Sequence, residues 1–226
     1  MSSVHHLSST SRALQQDFNE PHAMAIRVWH WAFFMVVTAS LVTTLLASTL
    51  FRTRNNTGMV QQELQRQGLT ISQDQARGVA HAFNDRLWDW HTYLGYVICG
   101  FLVARVVIEI TLTKDERLAT KIRKAIALKS SASKDSETVR HYLQVKWGYV
   151  VFYCLILTMA LTGLGLAFED VPFLKNIHGT IKQVHSFVQY LIYGFILLHL
   201  SGVILADIGK HRGIVSGMIH GKKRSS

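Results

Sequence analysis

Four histidines, His30, His91, His185 and His199, sit in or at the edge of apolar segments, where an imidazole costs free energy unless something receives it. His185 and His199 lie fourteen positions apart in "VHSFVQYLIYGFILLHLSGVIL". On a helix, fourteen steps return to within about 40° of the starting direction and advance about 21 Å, so both rings share one face at two depths. Imidazoles so placed can bond a neighbouring helix, carry protons or ligate a metal. A zinc site needs about four ligands converging within about 2.3 Å of the ion. Two ligands about 21 Å apart on one helix do not converge. A proton relay calls for carboxylates among the histidines, and only Glu109 lies well within an apolar segment. The other eight of the twelve histidines fall in polar segments or at segment edges, where a solvated ring is the default.

The elements that carry these side chains are four largely apolar stretches at about 25–50, 91–112, 147–168 and 184–206. Each exceeds about 18 residues, the length that suits a membrane span. The predicted fold is all-α: a transmembrane four-helix bundle over 25–206, after a polar N-terminal segment (1–24) and before a basic tail (207–226). Residues 1–24 show no apolar run next to a small-residue cleavage site, so no removable signal peptide is expected. Sixteen Lys and Arg fall in 1–27, 113–146 and 207–226, against seven in 51–90 and 169–183. The positive-inside rule then puts both termini on the cytoplasmic side of the membrane. All five tryptophans mark predicted span starts and read as an interfacial belt. The net charge of +10 serves orientation beside anionic lipid, and no recognition motif accompanies it, so nucleic acid is not an expected partner.

With alternating helix direction, His30 and His199 come to one depth on the cytoplasmic side. His91 and His185 come to another on the outer side. A lone intramembrane histidine is commonly a hydrogen-bond partner between helices. Two depth-matched pairs instead fit two planar cofactors stacked across the membrane. Haem iron with one imidazole on each face accounts for the pairs directly. There is no C-x-x-C-H, and Cys99 and Cys154 are isolated within spans, so the expected groups are two noncovalent haems b. Arg105 follows His91 by the same fourteen positions, at the depth of the cytoplasmic pair. Its charge calls for an anion, either a haem propionate, the favoured partner, or the Glu109 carboxylate at i+4. Gly95, Gly163, Gly165 and Gly194 would let a flat macrocycle approach the backbone.

Two connections carry extra helices. The outer one, 51–90, reads as "TGMVQQELQRQG" after a Thr57 cap, ending at Gly68, and then a second short helix from Ser72. It is either a lid over the bundle or a docking surface for a redox partner. In the basic cytoplasmic connection, 113–146, Leu118, Ile122, Ala125 and Ile126 form one apolar face, as in an interfacial helix. "SSASKDSE" then reads as a mobile polar linker, and "HGKKRSS" as a solvated tail.

These residues resemble the bacterial cytochrome b561 and nickel-hydrogenase cytochrome b family. The match rests on "R-V-W-H-W" at the first span, His91–Gly95–Arg105, "T-G" at Thr162–Gly163, and His185 with His199. The resemblance implies a four-helix bundle with two haems b, His30 paired with His199 and His91 with His185. It also implies electron transfer between membrane quinone or quinol and an outer partner: a hydrogenase, another dehydrogenase or a further redox protein. Some free-standing members oxidise superoxide and reduce quinone, which would need a basic route to the outer haem. Arg77, Arg86 and Lys182 could form one. The third reading is a haem-free membrane anchor whose histidines only bond neighbouring helices.

Overall fold

The computed structural model describes residues 24–112, 117–131, 136–209 and 214–221. Among them there is no strand. Seven helices follow in order: α1 (Met24–Ser48), α2 (Thr53–Arg66), α3 (Gln73–Thr111), α4 (Leu118–Ser131), α5 (Ser136–Ala167), α6 (Pro172–Ile208) and α7 (Ile214–His220). Helices α1, α3, α5 and α6 are long and apolar enough to cross a membrane. Many of their large side chains face outward: Leu198 is 75% exposed and Val103 65%. Such surface costs about 25 cal/mol per Å² in water and nothing in hydrocarbon, so lipid is the solvent these helices suit. The fold class is the predicted all-α transmembrane four-helix type, with extra helices in the first two connections.

The span helices outrun their apolar windows. The short helix expected after Ser72 and the span expected from His91 are one continuous α3 of 39 residues, about 58 Å long. Nothing between them breaks the helix, and i,i+3 and i,i+4 pairs line the junction. His81 Nδ1 lies 2.6 Å from Asp85, Arg86 3.6 Å from Asp89, and Trp88 Nε1 donates to Asn84 Oδ1 at 2.9 Å. Asn84 also donates to the carbonyls of Ala47 (2.8 Å) and Phe51 (2.9 Å), satisfying groups orphaned at the end of α1. Ser72 starts α3 with a capping box: its Oγ accepts from Gln75 N at 3.2 Å, and Gln75 Oε1 accepts from Ser72 N at 2.8 Å.

Helix α2 begins four residues before the expected Thr57 cap. Its N-cap position, Arg52, makes no side-chain cap bond. Thr57 is buried and donates to Thr53 O at 2.8 Å. The end at Gly68 is as expected: Gly68 has φ 81°, and Leu69 N reaches back to Leu64 O at 3.0 Å. The amphipathic segment forms α4. Its first amide, Leu118 N, donates to Glu109 Oε1 at 2.6 Å, while Arg117 Nη2 donates to Ile110 O at 2.9 Å at the end of α3. In "SSASKDSE" the first two residues end α4, the last two begin α5, and the middle lies outside the described residues, as do 1–23 and 222–226.

Helix α7 has no counterpart among the predicted elements, and of "HGKKRSS" only His220 and Gly221 lie within the described residues. Asp207 Oδ1 accepts from Val215 N at 3.3 Å, and Arg27 Nη1 donates to Ile219 O at 3.3 Å. Gly221 then needs its hydrogen side chain: its φ is 73°, and a Cβ would stand 2.6 Å from Arg27 Nη1.

The chain divides into two compact units. One comprises 29–101 with 163–178, and the other the described parts of 1–28, 102–162 and 179–226. In the first, Phe33, Val37, Ala47, Ala76 and Ala80 are buried. In the second, the buried set includes Tyr142, Ile156, Val188 and Ile192.

Candidate functional site

The first unit holds His30 and His91. His91 Nδ1 points into a nest of oxygens from α1: Ser40 O (3.2 Å), Ser40 Oγ (3.2 Å), Thr44 Oγ1 (3.2 Å) and Thr43 Oγ1 (3.3 Å). A carbonyl only accepts, so the contact with Ser40 O requires the proton on Nδ1. The hydroxyls of Thr43 and Thr44 also turn towards Ser40 O, at 2.7 and 3.2 Å. They therefore present lone pairs to the ring. The ring is held in the tautomer whose lone pair is on Nε2. One turn further along α3 on the same face, a Cβ at Gly95 would meet nothing within 4 Å.

His30 packs edge-on to Trp31 at 5.8 Å. Its other neighbour in sequence, Trp29, does more than anchor at an interface. Trp29 stacks on Phe33 (4.9 Å), meets Phe101 edge-on (6.3 Å) and donates Nε1–H to Phe101 O at 3.2 Å. That bond fixes the start of α1 against α3. Trp31, Trp88, Trp90 and Trp147 are exposed, as a membrane belt requires. Gly163, in the "T-G" pair, is half-buried.

The second unit holds Arg105, His185 and His199. Thr162 Oγ1 on α5 lies 2.9 Å from His185 Nδ1 on α6. The threonine gives its own proton to Thr158 O at 2.7 Å, so its oxygen accepts from the ring. His185 is thereby fixed in the same tautomer as His91. His199 stacks parallel to Phe195 at 6.3 Å, and Phe195 stacks on Phe152 of α5 at 5.0 Å.

Arg105 Nη1 lies 3.0 Å from Glu109 Oε2, and Arg105 Nε donates to Tyr153 Oη at 3.0 Å. Of the two anions weighed for Arg105, the structure shows the Glu109 carboxylate. A guanidinium has five N–H donors, so Tyr153 and Glu109 do not exhaust its capacity for a further anion. Arg86, one of the cations a superoxide route would use, has Asp89 at 3.6 Å, which offsets its charge.

Among the described residues, no three His, Cys, Asp or Glu side chains could hold a metal ion, so an ion bound by side chains alone has no site there. An imidazole whose Nδ1–H is bonded to protein oxygen and whose Nε2 carries the lone pair is the donor that haem iron takes. His91 and His185 both meet that requirement. Ser40, Thr43 and Thr44 are absent from the predicted site, and Thr162 enters it only through the "T-G" motif. The available signal was three hydroxyls on one helical face of an otherwise apolar span.

Residues 22–221 match the family described as prokaryotic cytochrome b561. No curated protein and no solved structure matches the chain.

Proposed function

The chain belongs to the prokaryotic cytochrome b561 family, a family of membrane b-type haem electron-transfer proteins, and from that premise we propose that it is a two-haem conduit. It moves electrons between membrane quinone and a redox partner at the outer face, a dehydrogenase or hydrogenase. His91 with His185 holds the outer haem, and His30 with His199 the cytoplasmic one. The observation that carries this reading is the matched engagement of His91 Nδ1 by α1 oxygens and of His185 Nδ1 by Thr162.

When bound, each haem would supply reversible one-electron uptake. The protein's part is to hold and orient. Thr162 and the Ser40–Thr43–Thr44 nest stop the two rings from rotating about χ2 and raise the basicity of Nε2. Arg105 keeps positive charge at the cytoplasmic depth, where it serves a propionate as well as Glu109. Lys and Arg in 113–146 and 207–226 hold that side, with both termini, in the cytoplasm. The helical segment 51–90 is the docking surface for the outer partner.

Reconstitution of the full chain with haem and a quinone tests this proposal. Slow reaction with superoxide, followed by rapid haem reduction once an outer dehydrogenase is added, is the expected result. Quinone reduction by superoxide at about 10⁸ M⁻¹s⁻¹ or faster, falling steeply with salt, would make the protein a superoxide:quinone oxidoreductase instead.

A further inference from the structure

The Arg105–Glu109–Tyr153 cluster does more than neutralise a buried cation. Glu109 is the only acid within the predicted spans. Its side chain is 29% exposed and that of Arg105 19%, and Glu109 stands two residues before the end of α3 at Thr111. An ionisable group kept in such a place marks a pathway for charge or protons. The two carboxylate oxygens face different ways along the chain. Oε2 meets Arg105, one helical turn or about 6 Å deeper in α3, while Oε1 accepts from Leu118 N, where α4 starts. Tyr153 Oη accepts from Arg105 Nε, which turns the phenol's own O–H away from the guanidinium. A phenol and a guanidinium are the donors that would bind the oxygens of a quinone ring. The carboxylate one turn nearer the end of α3 is the base that a quinol requires.

We infer that Arg105, Tyr153 and Glu109 form the site at which a membrane quinol gives up its protons, at the membrane face where α3 ends. The inference rests on the quinone reading proposed above. Oxidation of one quinol to quinone releases two electrons and two protons. With haem held by the chain, two ferric haems would be the oxidant and would take one electron each. The protons pass one after the other to the Glu109 carboxylate, which returns each to water beside the start of α4. Reduction of a quinone runs the same steps backwards.

Glu109→Gln tests this cleanly, because the amide oxygen can still accept from Leu118 N while the side chain can no longer take a proton. Tyr153→Phe is the second variant. Full-length protein loaded with haem is mixed with decylubiquinol, and haem reduction is followed by stopped flow beside reduction by dithionite. The expected result is a loss of about 100-fold in the decylubiquinol rate for Glu109→Gln, the size typical of a removed general base, with dithionite reduction and haem content unchanged. Tyr153→Phe should slow the quinol reaction alone as well. Infrared difference spectra on quinol addition should show a protonated-carboxyl band in the wild type that is absent from Glu109→Gln. Wild-type quinol rates in both variants, a carboxyl band that persists in Glu109→Gln, or loss of haem from both variants would overturn the inference and leave a structural latch. If the wild type itself is not reduced by decylubiquinol while dithionite reduces it, the quinone reading fails and this inference falls with it.

Discussion

Thr162 Oγ1 lies 2.9 Å from His185 Nδ1 and 2.7 Å from Thr158 O, a carbonyl that can take the threonine proton. With the threonine proton on Thr158 O, the imidazole donates from Nδ1 and keeps its lone pair on Nε2.

Thr162→Val removes that acceptor while keeping shape. Loss of such a partner typically weakens metal binding 10–100-fold. The haem held by His185 should transfer to apomyoglobin about that much faster, and Thr162→Ser should restore the wild-type rate. An unchanged transfer rate in Thr162→Val would show that the bond plays no part in ligation.

The nest around His91 is redundant where the Thr162 contact is single. Ser40→Ala, Thr43→Val or Thr44→Val alone should change haem transfer less than Thr162→Val, because Ser40 O remains within 3.2 Å of Nδ1 in each case. The combined Thr43→Val and Thr44→Val variant should also stay below the Thr162→Val effect, because Ser40 O and Ser40 Oγ both remain. A single replacement as damaging as Thr162→Val would contradict the redundancy.

Arg105→Leu deletes a positive charge and leaves Glu109 uncompensated. Both changes disfavour the added electron, so the midpoint potential of the haem held by His30 and His199 should fall more than that of the other. Redox titration resolves the two. Equal shifts, or none, would reject the position assigned to Arg105.

Asn84→Ala opens two carbonyls at the end of α1, those of Ala47 and Phe51. At about 0.5–1.5 kcal/mol each, the loss should be about 1–3 kcal/mol. Thermal unfolding in detergent should shift down while the absorption spectrum of the haem-loaded protein stays unchanged. A spectral change would place Asn84 in the haem environment.

The spans, the two extra connections and the helix ends marked by Ser72 and Gly68 were legible because apolar length, caps and glycine act locally. The continuity of α3 was not. Trp88 and His91 marked a boundary in polarity, which the backbone does not obey when i,i+4 pairs bridge it. The start of α2 was missed because Arg52 carries no capping side chain, so Thr57 offered the stronger local signal. Helix α7 depends on Asp207 and on Arg27, a residue distant in sequence, and a tertiary clamp has no local signature. For the candidate site, residue type and spacing single out the four histidines. The tautomers of His91 and His185 depend on oxygens from other helices, which only the packed chain brings near them.

Haem content per chain tests the central claim most directly. Pyridine haemochrome analysis of the purified protein should give two noncovalent haems b. His30→Ala and His199→Ala should each deplete one of them, and His91→Ala and His185→Ala the other. One haem per chain, or His30→Ala and His199→Ala depleting different haems, would contradict the two-level arrangement.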